Sequence, residues 1–219
     1  MTGVHHTQVN IEQSEADNFQ LDSFIPSEAK FEQYIASSST SDWPELPSLS
    51  ISMDARGLIL FLSKHVEDHN LMRGEISSAL QLAADPAKLV LDALSSFYRS
   101  KSGDGFKGAA VCNVRKSCIL LLEQLMKCSV KIEHHVNEEA LKLAVEWKER
   151  MEEKYPQGVM AYGFLQFIIT YCLSSAYNAD ELLCLLVTAS EYRQSPDLCL
   201  ALGLADKISS ESLSLSCSS

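Results

Sequence analysis

Residues 85–99 read D-P-A-K-L-V-L-D-A-L-S-S-F-Y-R, and residues 111–125 read V-C-N-V-R-K-S-C-I-L-L-L-E-Q-L. Asp85 is a good helix N-cap, and Pro86 falls at the first helical position, where its missing N–H costs nothing. Leu89, Val90, Ala93, Leu94 and Phe97 then recur at helical spacing, as do Val111, Val114, Cys118, Leu121, Leu122 and Leu125. A short glycine-bearing break separates the two runs. They are therefore predicted to be two helices paired antiparallel, each with an apolar stripe that it cannot bury alone.

The flanking sequence supplies helices to cover those stripes. Asp54 can cap a helix to about residue 67, with Leu58, Phe61, Leu62 and His65 along it. Asn70 can cap a second over 71–83. Asn137 reads as the cap of another, with Val136 and Leu141 as its hydrophobic staple. Residues 158–173 are apolar nearly all round and should be the most buried helix. Asn178 and Glu181 spell a capping box, with Tyr177 and Leu182 as the staple. Ser195–Pro196 opens a last short helix that Gly203 ends. No stretch alternates as a strand does. The expected fold is all-α: one domain over about 53–208, with seven or eight helices packed as successive antiparallel hairpins. Leu94, Leu121, Phe164 and Leu182 are its expected core.

Net charge is -11 and unevenly placed. Residues 1–52 carry eight acids and one lysine, so most of the acidity sits in front of the predicted domain. That segment is serine-rich and broken by Pro26, Pro44 and Pro47, a composition that favours disorder. Phe19–Ile25 and 27–36 could order against something, and Trp43 is an aromatic suited to docking on the domain. Residues 209–219 hold seven serines and are expected to be disordered. An acidic chain is a poor binder of nucleic acid or anionic membrane. No apolar run approaches the ~18 residues of a membrane span. The seven cysteines form no C-x-x-C pair, and Cys118, Cys172, Cys184 and Cys199 read as buried thiols.

Candidate chemistry is sparse. Residues 103–108 match G-x-G-x-x-G, but a helix precedes them where a dinucleotide site needs a strand, so they read as a loop. His65 and His69 have zinc-helix spacing without a third ligand, and read as structural. His134 and His135 read as a loop pair without partners. Ser117 and Cys118 lack a paired base. No catalytic residue, metal or cofactor is expected. Residues 99–131 are locally basic, and Lys101, Lys107, Arg115 and Lys116 form the candidate partner-docking patch.

The ordered set of segments M-D-A-R-G-L (53–58), D-P-A-K-L-V-L-D-A-L (85–94), V-R-K-S-C-I-L-L-L-E-Q-L (114–125), L-A-V-E-W-K-E-R-M (143–151), Y-G-F-L-Q-F (162–167), A-D-E-L (179–182) and D-L-C-L-A-L-G-L-A-D-K-I (197–208) resembles the central domain of the plant Frigida-like family. The resemblance implies a nuclear regulator of flowering time. It would be a non-catalytic scaffold for other proteins of a transcription-activating complex, with no direct contact to nucleic acid, no membrane and no small-molecule substrate. Members commonly carry coiled-coil or low-complexity flanks, which this chain almost lacks, so it reads as a short member or a part of one. The alternative is an α-helical hydrolase or small-ligand binder, which would show polar residues converging in a deep apolar pocket. Direct DNA binding would need a concentrated basic face at 99–131.

Overall fold

The computed structural model describes residues 42–98, 109–152, 158–190 and 195–204. Among these, α-helices follow one another without a strand: α1 (Glu45–Ile51), α2 (Ala55–Lys64), α3 (His69–Leu80), α4 (Pro86–Tyr98), α5 (Ala109–Cys128), α6 (His134–Glu152), α7 (Gly158–Thr170), α8 (Ala179–Thr188) and α9 (Ser195–Ala201). Single 3-10 turns at Val66–Asp68 and Ser174–Ala176 join α2 to α3 and α7 to α8. The fold is all-α as expected, with eight α-helices after Met53 among the described residues. No helix among the described residues is long and apolar enough to cross a membrane.

One helix precedes the expected start at Met53. The prolines that read as breaks are compatible with α1, because Pro44 stands at its N-cap and Pro47 in its first turn. Backbone N–H groups there have no intrahelical partner to lose. α1 lies against α2 and α3 and buries Leu46 completely. Just before it, Trp43 packs edge-on to Phe61 and His65 with ring centroids 6.3 and 5.0 Å away. Residues 1–41 and 205–219 lie outside the described residues, and with them the expected tails.

The 20-residue α5 is the axis of the packing, in contact with α2, α3, α4 and α7. It buries Val114, Cys118, Leu120, Leu121, Leu122 and Leu125. α7 is apolar all round because it divides two cores. Phe164, Phe167 and Ile168 join the larger one, with α1 to α6. Ala161, Tyr162 and Leu165 join a smaller one with Leu182, Leu186, Leu198 and Leu204 of α8, α9 and the residues after α9. The four expected core residues, Leu94, Leu121, Phe164 and Leu182, are all buried.

The local signals that held are those used locally. Asp54 accepts from the Gly57 N–H at 2.8 Å, and Asp85 from the Lys88 N–H at 2.8 Å. Asn178 accepts from the Asp180 N–H at 3.0 Å. Gly203 takes a left-handed φ of 67° as α9 ends, and Leu204 N–H returns to the Cys199 carbonyl at 3.1 Å. Two caps were misplaced. α3 begins at His69, one residue before Asn70, directly after the 3-10 turn. α6 begins at His134, so His134 and His135 are helical. Asn137 lies inside that helix and donates to the Tyr171 carbonyl at 2.7 Å, while Leu141 stays partly exposed instead of stapling. The Tyr171 hydroxyl donates to the Ala87 carbonyl at 2.8 Å, so this residue joins the end of α7 to both α6 and α4.

Candidate docking surface

Arg115 and Lys116 are neighbours on α5, and 100° of helical rotation sends them into different surroundings. Lys116 is exposed on the side of His69. There the His69 Nε2 lies 3.0 Å from the Leu62 carbonyl and 3.4 Å from Ser117 Oγ. Burial holds this imidazole below its ordinary pKa, and the Arg73 and Lys116 charges add to the effect against the bond to Leu62. His69 is thus a structural histidine. His65 faces Asp68 at 3.8 Å and the Trp43 ring. Among the described residues no three His, Cys, Asp or Glu side chains are grouped to hold a metal ion.

Arg115 is half-buried, with its Nε enclosed and without a hydrogen-bond partner. Its charge acts on Tyr98 and on Cys118, one turn away. Burial outweighs that charge and pushes both the phenol and the thiol upward, so Cys118 stays protonated and unreactive. Lys101, Lys107 and the glycine motif at 103–108 lie outside the described residues. The other cysteines depart from the expectation of burial: Cys172 and Cys184 are exposed, and Cys199 is half-buried. Cys172 sits at the C-terminal turn of α7 with φ 54°, where the stripe of that helix no longer applies.

Two open clefts flank these helices. One, of about 360 Å³, is lined by Arg73, Glu123, Tyr162, Gln166, Asp197 and Leu198, among others. Arg73 is paired with Glu123, and the Tyr162 hydroxyl donates to the same carboxylate at 3.3 Å. Burial raises the Tyr162 phenol, and Glu123 raises it further. The other, of about 340 Å³, lies over α6 between Leu141, Val145, Lys148, Tyr177 and Glu181. Lys148 and Glu181 pair across it at 2.6 Å. Each cleft thus holds one cation paired with a carboxylate. Neither cleft was legible in sequence, since Arg73 and Glu123 are 50 residues apart. The one signal was Glu123 itself, a carboxylate inside the run L-L-L-E-Q-L.

Comparison with known proteins adds a lineage to this geometry. The family model described as Frigida-like protein matches residues 38–210, a span that includes α1. FRIGIDA-like protein 3 of Arabidopsis thaliana is 33% identical over 182 residues, covering 76% of this chain and 33% of that protein. FRIGIDA-like protein 5 of Arabidopsis thaliana is 38% identical over 148 residues, covering 67% of this chain and 16% of that protein. Protein FRIGIDA of the same plant is 29% identical over 154 residues, 66% of this chain and 25% of its own length. The chain thus spans a third or less of each of these relatives. A crystal structure of the FRIGIDA flowering-time regulator superposes with a TM-score of 0.57 at 25% identity, over 71% of this chain and 58% of that one. The helical order around α5, the match over most of the chain and this shared structure make the chain a member of the Frigida-like protein family.

Proposed function

We propose that this chain is a non-catalytic protein-interaction domain that acts in the nucleus as a scaffold for transcription-activating proteins controlling flowering time. Kinship with the FRIGIDA flowering-time regulator supports the biological setting. The observation that carries the scaffold reading is the state of the two clefts. Each holds a cation paired with a carboxylate, Arg73 with Glu123 in one and Lys148 with Glu181 in the other, and their tyrosines are held protonated by burial. A reactive site would hold a base or nucleophile poised near neutral pH. The docking patch is the N-terminal half of α5, where Lys116 is exposed and Arg115 half-buried, together with Lys101 and Lys107.

The test is affinity capture from plant nuclear extract with the full chain, followed by mass spectrometry. Wild type should retain a reproducible set of nuclear proteins. The variant Lys107→Glu/Arg115→Glu/Lys116→Glu should fold, by its helical circular dichroism, yet capture less and lose most of the salt dependence. Capture of the same proteins at the same salt by the folded variant would move the docking surface elsewhere. A fluorescently tagged chain excluded from the nucleus would contradict the nuclear assignment.

A further inference from the structure

The open cleft of about 360 Å³ lies between α5 and α9, each of which packs on α7. Its floor is buried: Tyr162 is 2% exposed, Leu198 3% and Gln166 4%. Its rims are exposed, with Met126 and Lys127 on α5 and Asp197 and Ala201 on α9. Gln166 is the unsettled group of the floor. Its Nε2 donates to Met126 Sδ, a weak acceptor. Its Oε1 has no hydrogen-bond partner among the described residues, and it is not fully enclosed, so it faces the opening. A carboxamide so placed can accept from one N–H and donate to one C=O of a passing backbone. Met126, Leu198 and Ala201 offer apolar surface beside it. The charged lining residues cancel, Arg73 and Lys127 against Glu123 and Asp197, so the cleft suits a segment without charge.

The chain leaves α9 beside this floor. Gly203 ends the helix in a left-handed turn, and the Leu204 N–H returns to the Cys199 carbonyl, so the backbone reverses there. Leu204 is buried in the same small core as Tyr162 and Leu198. Further on, residues 212–219 read S-L-S-L-S-C-S-S, with no charged side chain. Their serine content gives them no core of their own. Leu213 and Leu215 alternate with serine, so in an extended strand both fall on one face, about 6.6 Å apart. Eight extended residues reach about 26 Å, and α9 is about 10 Å long, so the return is well within reach. We propose that residues 212–216 of this chain fold back over the cleft, with Leu213 and Leu215 on Met126, Leu198 and Ala201 and the strand backbone on the Gln166 carboxamide. Tethering favours this occupant over a partner's segment, because a short linker holds it at an effective concentration on the order of millimolar. The cleft uses the C-terminal end of α5, apart from Arg115 and Lys116.

The test is methyl NMR of the full chain, isotope-labelled at its methionine methyl groups, with the Met126 signal assigned by its loss in Met126→Leu. Leu213→Ser/Leu215→Ser should move the Met126 signal, because the cleft empties. The peptide Ser-Glu-Ser-Leu-Ser-Leu-Ser, the sequence of 210–216, added to that variant should return the signal to its wild-type position. The control Ser-Glu-Ser-Ser-Ser-Ser-Ser should not. Wild type should bind the leucine peptide at least about fivefold more weakly than the variant does, since the tethered segment already fills the cleft. Adding Gln166→Leu to the variant should weaken the peptide by about fivefold or more, the scale of one lost hydrogen bond. Helical circular dichroism verifies that each variant is folded. A Met126 signal unmoved by the serine substitutions, equal affinity of the leucine peptide for wild type and variant, or affinity that Gln166→Leu leaves unchanged would each overturn the proposal. A wild-type signal that moves to the variant's position on dilution would give the cleft to the segment of a second copy, and overturn the return within one chain.

Discussion

Gly57 leaves no room for a side chain. A Cβ there would stand 2.3 Å from the Asp54 carboxylate and 2.7 Å from Leu49 Cδ2. The cap of α2 and the seating of α1 on α2 therefore share one small residue. Gly57→Ala should gain about 1 kcal/mol of helix propensity, yet lose about 1 kcal/mol of cap and incur about 1–3 kcal/mol of crowding. The expected net loss is about 1–3 kcal/mol, read as a lowered urea midpoint at unchanged slope. An unchanged midpoint would mean that Asp54 and Leu49 move aside freely. Residue-scale signals divide by where the side chain is used. Asp54, Asp85, Asn178 and Gly203 bond within a few residues, and sequence shows them. Asn137 looks the same on paper, but its partner is the carbonyl of Tyr171, 34 residues away. Arg115 and Lys116 were separable only in part. Helical rotation requires one of them to leave the apolar stripe, and the fold decides that Lys116 does so fully.

At the scale of elements, α1 is the test of where the domain begins. Serine content and three prolines in residues 1–52 pointed to a tail, because proline interrupts a helix interior. The structure uses Pro44 and Pro47 in the first turn instead, and the apolar pair Leu46 and Leu49 faces α2 and α3. If α1 belongs to the cooperative core, Leu46→Ala should cost about 2–5 kcal/mol, as for a fully buried leucine. Equilibrium urea unfolding measures it, and a loss below about 0.5 kcal/mol would make α1 an adherent segment outside the core. α5 was legible as the organising helix from its stripe alone. Its partners were not, since periodicity names a buried face but not what covers it. Contacts of α5 with α2 and α3 arise from chain reversals whose direction depends on residues between the helices. Lys88 illustrates the same point. It pairs with Asp92 one turn on in α4, which spacing shows, and with Glu139 of α6 at 3.1 Å, which spacing cannot.

Across the whole molecule, ionisable groups in the interior set the pH range of the fold. Burial raises the phenols of Tyr98, Tyr171 and Tyr177, the last to about 12. The unfolded chain releases these protons near pH 10 while the folded chain keeps them. Above that point the unfolded state binds fewer protons, so stability is complete below about pH 10 and falls as pH rises toward 12. The melting temperature should therefore drop through pH 10–12, and Tyr171→Phe should make the drop shallower. A flat profile would mean that these rings are hydrated. Charge balance also belongs to this scale. Residues 53–219 carry 21 acids and 17 bases, so they are far less acidic than the segment before them, and a local cation can be read by a partner.

That the domain works by presenting its exterior to other proteins is tested most directly by site-specific photocrosslinking. The full chain carries p-benzoylphenylalanine in place of Lys116, on the exposed side of α5, or in place of Ala201, at the cleft beside Asp197. Each version is irradiated in plant nuclear extract, and adducts are identified by mass spectrometry. The docking account predicts discrete protein adducts from position 116 that are lost when Arg115 is also changed to Glu. Protein-free irradiation products at position 116, in a chain that is folded and present in the nucleus, would contradict it.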